Sequence, residues 1–485
     1  MVAGPLVPSG HPAHLGALAV VAGYLVLLFV ATWWSQKLSE RGVGGAAGYL
    51  LAGRGMTTPV VAALLAGLAV GGASTIGVAE QAYTRGLGAG WYNAAWAVGA
   101  AVLGLYAAPR YRRWEITTLP ELFERHYGVG GRVLGVFGQL VIQLVVTSLQ
   151  YVAGGAILTA LLPDVFTLQS GMAVTAVVFV AITLIGGFWA AGITNIVNVI
   201  VIYVGILLGV GLTVGRIGGL GALAHALPAG HPGFSLGGVG GGIVLAWFIV
   251  MVTMTHSTQS VIQVGFAARD ARTAGRGYLW GALLIAPVGF LSAVLGLAAA
   301  ALHPGIVPAQ ALPRIVLELN PLAAGLVLAG LWAADVSTAS AMLLGSATLV
   351  SNDLVKRFIA PGLAPEREKA LCRWVVVGLS VLTFGLALTV RGILSLLTGT
   401  LALSSAYTLV VLVTMMRPGW CRRSSATWTL AATMVVLAAW MIGPKAWHLG
   451  LPHPVYATWA ASVVAFGLVA IVDRRGVTGI VKSGG

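Results

Sequence analysis

Long, uninterrupted runs of apolar residues dominate the chain. The first of them, HLGALAVVAGYLVLLFVATWW, is continuous rather than alternating, and as a helix it is long enough to cross about 30 Å of hydrocarbon. A membrane β-barrel strand would instead show about ten residues of alternating polarity. Because a bilayer core offers no water to backbone N–H and C=O groups, these runs predict an all-α polytopic membrane protein.

At about twenty apolar residues per crossing, the pattern predicts about 13 transmembrane helices. The predicted spans are 14–34, 57–84, 90–108, 132–161, 170–187, 191–213, 242–264, 278–301, 321–350, 372–390, 393–415, 426–443 and 455–473.

The second and seventh spans are apolar at both ends and interrupted in the middle. The second contains AGLAVGGASTIG, and the seventh contains FIVMVTMTHSTQSVIQ. Two helices broken five spans apart are typical of inverted-repeat transporters, whose solute and ion sites lie where the unwound segments meet. The alternative, that small residues only permit close helix packing, explains a pair of breaks less well.

Composition and charge support the membrane assignment. Hydrophobic residues make up 58% of the chain, charged residues make up 8%, and the mean hydropathy is +0.94, whereas a soluble domain carries about 25% charged residues. The net charge of +14 raises nucleic-acid binding as an alternative, but the basic residues follow the positive-inside rule instead. Five of the 27 Lys and Arg fall on the other side of the predicted membrane: Arg85, Arg216, Arg314, Arg391 and Lys445.

This asymmetry predicts a multi-pass protein of the cell (inner) membrane with its N-terminus outside and its C-terminus cytoplasmic. The first apolar run is as long as a full span and precedes the first basic residue, Lys37. We therefore expect a retained helix rather than a signal peptide. The lipid bilayer and a small-molecule solute are the expected partners; neither a nucleic acid nor an obligatory protein partner is indicated.

Enzymatic chemistry is not indicated by the sequence. The two cysteines, Cys372 and Cys421, lie near predicted cytoplasmic segments, so neither a disulfide framework nor a metal cluster is predicted. No HExxH, GxSxG or paired catalytic carboxylates appear on one face of any predicted span. We expect no organic cofactor and no catalytic residues.

Ionisable residues inside the spans are the remaining candidates for chemistry, because a charge at bilayer depth is costly unless it is paired or hydrated. Asp335 shares a helix face with Thr338, and this favours a cation site. His256 is explained equally well by solute binding, proton relay or packing. Glu80 lies toward the outer end of its span, where hydration or pairing with Arg85 is the simpler explanation.

Several sequence blocks resemble the sodium:solute symporter family, which includes proline, pantothenate and sodium/galactose carriers. In chain order they are GYLLAGRGM, TLPELFERHYG, GGFWAAGITNIVN, QVGFAARDARTAGRGYLWGAL, AADVSTASAMLLGSATLVSNDLVKRF and MMRPGW. The resemblance implies a single transporter domain, 1–485, with a leucine-transporter-like 5+5 inverted repeat. The first repeat would be 57–213 and the second 242–415, with accessory helices at 14–34, 426–443 and 455–473.

The resemblance also implies where ion and solute bind. The coupling ion, Na⁺, would be held by the carbonyls of Gly67, Val70 and Ala334 and by the hydroxyls of Ser337 and Thr338. The implied solute pocket would be lined by Gly71, Gly72, Ser74, Thr255, His256, Thr258 and Gln259.

Two departures from the family pattern concern the ion path, to which we assign Asp335, Asn195 and Glu80. Family members commonly carry an aspartate in the sixth helix, where this chain has Thr194 followed by Asn195. Conversely, Asp335 stands where the family usually has an apolar residue. Either the negative charge has moved between helices or Asp335 takes a proton, and both interpretations remain open.

Taken with the resemblance, the sequence predicts sodium-coupled symport of a small polar organic solute by alternating access. The alternatives are a proton-coupled symporter that uses Asp335 and His256, or a carrier of a cationic or metal-chelate solute. A membrane sensor is a further, less favoured alternative.

Overall fold

The computed structural model describes residues 12–40, 51–114, 116–390 and 393–473, and it is helical almost throughout. Among these residues the β-type pairing is a single parallel bridge between Met56 and Ala268. The predicted all-α class is therefore confirmed. Five of the 27 basic residues counted in the charge argument lie outside the described residues: Arg41, Arg391, Arg474, Arg475 and Lys482.

The α-helices follow one another along the chain with short connections. They are α1 (Pro12–Glu40), α2 (Thr58–Ala69), α3 (Val78–Arg85), α4 (Trp91–Val102), α5 (Ala108–Arg113), α6 (Leu119–Tyr127), α7 (Val129–Leu161), α8 (Leu168–Ile217), α9 (Leu220–Ala226), α10 (Gly241–Ser257), α11 (Gln259–Phe266), α12 (Ala271–Leu302), α13 (Ala311–Leu317), α14 (Pro321–Thr348), α15 (Pro365–Ala387), α16 (Ile393–Leu401), α17 (Ser404–Met416), α18 (Ser425–Ile442) and α19 (Pro454–Val472). Three π-helical stretches, Ala73–Gly77, Leu103–Ala107 and Leu349–Ile359, precede α3, precede α5 and extend α14, respectively.

Ten helical segments of the described chain are long and apolar enough to cross a membrane, and two bent pairs raise the number to twelve. The expected total of about 13 is not reached, because the predicted span 90–108 divides into α4 and α5. Pro109 opens α5 directly after the π-helical stretch. Proline cannot donate a helical hydrogen bond and clashes with the preceding turn, which accounts for the irregular backbone.

The predicted fifth and sixth spans fall within one continuous helix, α8, of 50 residues. At 1.5 Å per residue a straight helix of this length would measure about 75 Å, more than twice the hydrocarbon thickness. Two spans are distinguished within it, Leu168–Ile185 and Ala191–Ile217. The helix continues through the predicted boundary near 187–191.

Both predicted helix breaks are present. The segment Thr58–Ala69 meets Ala73–Arg85 at 59°, and α10 meets α11 at 49°. At the first break, Val70 leaves helical geometry with φ −91° and ψ 84°, just before two glycines. At the second, Thr258 is extended with φ −79° and ψ 126°. Glycine and a run of hydroxyl residues favour such breaks, because both stabilise non-helical backbone relative to helix.

The centre of the molecule is α14, which is buried along nearly its whole length. It packs against α1, α7, α8 and α15, while α12 packs against α2, α3 and α4 on the other side of the broken second span. Asn320 caps α14 by accepting a hydrogen bond of 2.9 Å from the N–H of Ala323. The central helix thus presents side chains to both broken spans.

A network of charged residues lies at the end of the molecule that is predicted to face the cytoplasm. The Arg132 guanidinium, 6% exposed, pairs with Glu124 and, at 2.7 Å, with the buried Asp353. Arg357 pairs with Glu124 at 2.7 Å. Thr118 caps α6 and donates a hydrogen bond of 2.8 Å to Asp353. The network therefore joins α6, α7 and the π-helical end of α14 into one unit.

We predict that Glu124→Gln destabilises the protein by about 1–3 kcal/mol at pH 7, because charge-assisted hydrogen bonds are lost. Hydrogen bonds from Arg357, and then from Arg132, hold the pKa of the Glu124 carboxyl below its ordinary value of 4.5, against the opposing effect of burial. The stabilisation is therefore complete above pH 4.5 and is lost as the pH falls through the lowered pKa. Thermal unfolding of the purified protein across this range measures it, with the exposed Glu366→Gln as control. Equal unfolding temperatures for the two variants at pH 7 would contradict the prediction.

Candidate ion and solute site

Four of the five predicted sodium ligands converge between α2 and α14. Ser337 Oγ lies 2.6 Å from the Gly67 carbonyl and 2.8 Å from the Ala334 carbonyl. Thr338 Oγ1 lies 3.1 Å from each of the same two carbonyls. The fifth predicted ligand, Val70, ends α2 and is buried at the break. Two hydroxyls and two carbonyls from separate helices thus face a common point.

Glycine is required at two positions of the broken second span, because side chains of neighbouring helices approach its backbone closely. A Cβ atom on Gly67 would lie 2.8 Å from Asn195 Cγ, and one on Gly71 would lie 2.6 Å from Thr338 Oγ1. Both distances are shorter than van der Waals contact allows. The glycines therefore bring the backbone of the broken span against α8 and α14.

Two glutamines on α7, which the sequence analysis missed, bond the backbone at both breaks. Gln150 Oε1 accepts a hydrogen bond of 2.9 Å from the N–H of Gly72. Gln139 Nε2 donates to the Ser257 carbonyl at 2.8 Å, and its Oε1 accepts from the N–H of Gln259 at 2.9 Å. Unpaired backbone groups in a membrane interior are costly, so these side chains stabilise both breaks.

The sequence did carry a signal for these glutamines. They lie in QLVIQLVVTSLQ, inside a predicted span, where amides are rare. Residues 139 and 150 are three helical turns apart, about 16 Å along one face of α7. Gln143 lies on the same face between them, fully buried, and neither of its amide atoms has a hydrogen-bond partner among the described residues.

The predicted solute residues at the first break lie beside the ion ligands. Ser74 Oγ donates a hydrogen bond of 2.5 Å to the Ala69 carbonyl across the break. The Gly71 carbonyl accepts from the N–H of Ser74 and from Thr75 Oγ1. Gly72 contacts α7 and α14, since a Cβ there would meet Asp335 Oδ1 at 3.0 Å. These residues form a compact polar surface around the backbone break.

At the second break, three predicted residues line the end of α10. Thr255 Oγ1 donates to the Val252 carbonyl at 3.0 Å, and His256 Nδ1 lies 2.7 Å from the same carbonyl. Thr258 Oγ1 is buried and has no hydrogen-bond partner within the described ranges. Its hydroxyl is therefore the group at this break that remains available to a solute.

Gln259 has a different environment from the other predicted pocket residues. Its Oε1 accepts a hydrogen bond of 3.0 Å from the N–H of Leu119, and its Nε2 donates to the Thr117 carbonyl at 3.1 Å. Both partners belong to the start of α6. The side chain therefore joins α11 to α6.

The three residues assigned to the ion path differ in their burial and in their contacts. Asp335 is fully buried on α14, whereas Glu80 is partly exposed on α3 and forms no ion pair with Arg85 in the described structure. Asn195 Oδ1 accepts a hydrogen bond of 3.0 Å from Asn198. A cavity of about 20 Å³, lined in part by Asn195 and Ser337, adjoins the ion ligands.

Comparison with known proteins supports a transporter assignment over most of the chain. Residues 49–436 match the model of the sodium:solute symporter family. The osmoregulated proline transporter OpuE of Bacillus subtilis (strain 168) is 25% identical over 93% of this chain and 94% of its own length. The sodium/glucose cotransporter of Vibrio parahaemolyticus is 25% identical over 71% of this chain and 69% of its own.

Solved structures resemble the fold. A Na⁺-coupled sialic acid symporter in a substrate-bound, outward-open state superposes with a TM-score of 0.77, at 15% identity over 95% of this chain and 98% of that one. A nucleobase-cation-symport-1 family transporter superposes with a TM-score of 0.59, at 16% identity over 87% and 93% of the two chains. The predicted leucine-transporter-like class of fold is confirmed.

We predict that Gln139→Met lowers the free energy of unfolding by about 2–4 kcal/mol, because it leaves a carbonyl and an N–H at the second break without partners. Gln143→Met, one turn away, is the matched control: it removes an amide that has no described partner and should be neutral or stabilising. Methionine keeps the length and flexibility of glutamine in both variants. Thermal unfolding followed by the fluorescence of the 15 Trp residues measures both. Equal effects of the two substitutions would contradict the role assigned to Gln139.

Proposed function

The chain belongs to the sodium:solute symporter family and is a multi-pass membrane transporter that moves a small solute together with Na⁺, and from this premise we propose where the ion binds and how it is coupled. Na⁺ binds between α2 and α14. Its ligands are the carbonyls of Gly67, Val70 and Ala334 and the hydroxyls of Ser337 and Thr338.

The convergence of oxygens from two helices carries this proposal. The Ser337 hydroxyl lies 2.6 Å from the Gly67 carbonyl on the opposite helix, and Thr338 Oγ1 also reaches the Leu68 carbonyl at 3.1 Å. Hard cations prefer oxygen ligands, and hydroxyl protons can rotate away so that lone pairs face a cation. All five proposed ligands are uncharged, which suits a monovalent ion that must also be released.

The coupling of Na⁺ to solute transport follows from the two helices that the ion would join. A cation bound to Gly67 and Ser337 ties the broken second span to the central helix, so it stabilises the conformation in which the two are in contact. An ion can shift a conformational equilibrium only by this difference in affinity between states. We propose that Na⁺ thereby stabilises the outward-facing, solute-competent state, and that solute transport proceeds by alternating access.

The solute pocket lies beside the ion and takes a small polar organic molecule. Its proposed lining is Gly71, Gly72, Ser74, Thr255, His256, Thr258 and Gln259. Glycine backbone and hydroxyl groups dominate this set, which favours hydrogen bonding to a polar solute of modest size. The named relatives carry proline or glucose, and both molecules belong to this size class. Gln259 closes the cytoplasmic side of the pocket through its bonds to α6.

The two breaks also support the proposed repeat organisation. Residues 57–213 and 242–415 each begin with a span that bends, at 59° and 49° respectively. We propose that these units are the inverted repeats, that 14–34, 426–443 and 455–473 are accessory helices, and that the N-terminus lies outside and the C-terminus in the cytoplasm.

We predict that the double substitution Ser337→Ala and Thr338→Ala reduces Na⁺-stimulated uptake by about tenfold or more, because two of five ligand oxygens are removed. Ser346→Ala on the same helix is the control, since its buried hydroxyl has no partner among the residues described. Uptake into proteoliposomes with an imposed Na⁺ gradient is the measurement. Undiminished Na⁺ dependence in the double variant would exclude this site, and uptake driven by a pH gradient without Na⁺ would support proton coupling instead.

We also predict one Na⁺ per transport cycle at the α2–α14 site. The adjoining cavity is lined by uncharged residues, including Asn195, Asn198 and Ser340, and supplies no carboxylate to a second cation. The dependence of the initial uptake rate on Na⁺ concentration should therefore give a Hill coefficient of about 1. A coefficient near 2 would contradict the prediction, and Asn195→Ala, which leaves the five proposed ligands in place, then tests whether the cavity holds the additional ion.

A further inference from the structure

Asp335 is a buried carboxylate that the sodium site does not use. It is 0% exposed. The N–H of Gly72, which bonds Gln150 Oε1, lies close to the Asp335 carboxyl, and neither carboxyl oxygen has a partner of its own among the described residues. None of the ion pairs formed by the described residues includes it. An unpaired ionised carboxylate at bilayer depth is costly, so this group must either be protonated or meet a positive charge during function.

The carboxylate faces the first helix break. A Cβ on Gly72 would lie 3.0 Å from Asp335 Oδ1 and 3.6 Å from Gln150 Oε1, and a Cβ on Gly71 would lie 2.6 Å from both Gln150 Oε1 and Thr338 Oγ1. Three side-chain oxygens from two helices therefore surround two glycines. Because neither glycine has a side chain, these oxygens and Ala153 pack directly against the glycine backbone.

Two features of this position favour a cationic nitrogen over a second metal ion. Asp335 and Gln150 Oε1, which also accepts the N–H of Gly72, are too few oxygens for the coordination shell of a metal. An ammonium group needs only acceptors for its N–H groups, or a negative charge nearby.

We propose that the transported solute carries a positively charged nitrogen, an ammonium group, which pairs with Asp335 beside the first helix break. This inference rests on the proposed function, because it names the class of solute for the same pocket. The carboxylate lies about one helical turn from Thr338, so it attracts both the coupling ion and the solute. One negative charge then offsets the repulsion between two cations held close together, and each cation favours the state in which the other binds.

Binding of defined probes to the purified full-length protein tests the proposal. The probes are L-proline, L-lysine and choline, each paired with a counterpart whose nitrogen charge is removed: N-acetyl-L-proline, Nε-acetyl-L-lysine and 3,3-dimethylbutan-1-ol; D-glucose is the uncharged reference. We expect a Na⁺-dependent rise in the unfolding temperature with at least one charged probe, and a weaker or absent rise with its counterpart.

Substitution at position 335 then assigns the effect to the carboxylate. Asp335→Asn should weaken binding of the charged probe by about thirtyfold or more, as for loss of one partner of a buried charge pair, and Asp335→Glu should retain the preference for the charged probe. Asp335→Asn removes an uncompensated buried charge, so it should unfold at the same or a higher temperature than the parent without solute. Ser346→Ala should bind the probe as the parent does.

The outcomes separate this inference from the sodium site. A wild-type response to D-glucose, equal responses to both members of each pair, or no response to any charged probe would overturn the inference. Unchanged binding by Asp335→Asn would do the same. If Ser337→Ala with Thr338→Ala still responds to Na⁺ while Asp335→Asn loses the charged probe, the sodium site is wrong and the ammonium site stands.

Discussion

A helix broken inside a bilayer leaves backbone N–H and C=O groups that lipid cannot satisfy, and the rest of this structure depends on how those groups are bonded. At the first break, the N–H of Gly72 is bonded by Gln150 and the carbonyl of Gly67 by Ser337 and Thr338. At the second break, Gln139 bonds the backbone on both sides of Thr258. One helix, α7, thus supports both breaks, while α14 supplies the hydroxyls of the proposed ion site.

The same groups that stabilise the breaks make up the proposed ion site. The hydroxyls of Ser337 and Thr338 donate to carbonyls that Na⁺ would bind, so the ion exchanges one set of polar contacts for another instead of entering an apolar space. Such an exchange keeps binding reversible, because neither state leaves the carbonyls without a partner. Asp335 differs from this neutral set, because it is a buried carboxyl group that forms no ion pair among the described residues, and we propose that it selects the solute.

Much of this could be predicted from residue patterns, for identifiable reasons. Continuous apolar runs predicted the helices, and glycines or hydroxyl residues within two of them predicted the breaks, because both signals are local in sequence. Gln139 and Gln150 were missed because their role depends on which helix lies opposite. Gln259 was predicted as a pocket residue from its place in the seventh span, and its bonds to Thr117 and Leu119 could not be predicted because they depend on how α6 folds back. The predicted number of 13 spans was not confirmed, because a π-helical stretch before Pro109 divides the third one.

The bond between Gln259 and the start of α6 has a consequence for the speed of the cycle. The charged network of Glu124, Arg132 and Asp353 anchors α6 to the body that contains α14, whereas Gln259 belongs to the short helix beyond the second break. Any movement that separates α11 from α6 must break both amide bonds together. At about 0.5–1.5 kcal/mol each, two such bonds change the rate of that movement by roughly one to two orders of magnitude. One amide side chain thereby raises the barrier to a movement of the second broken span.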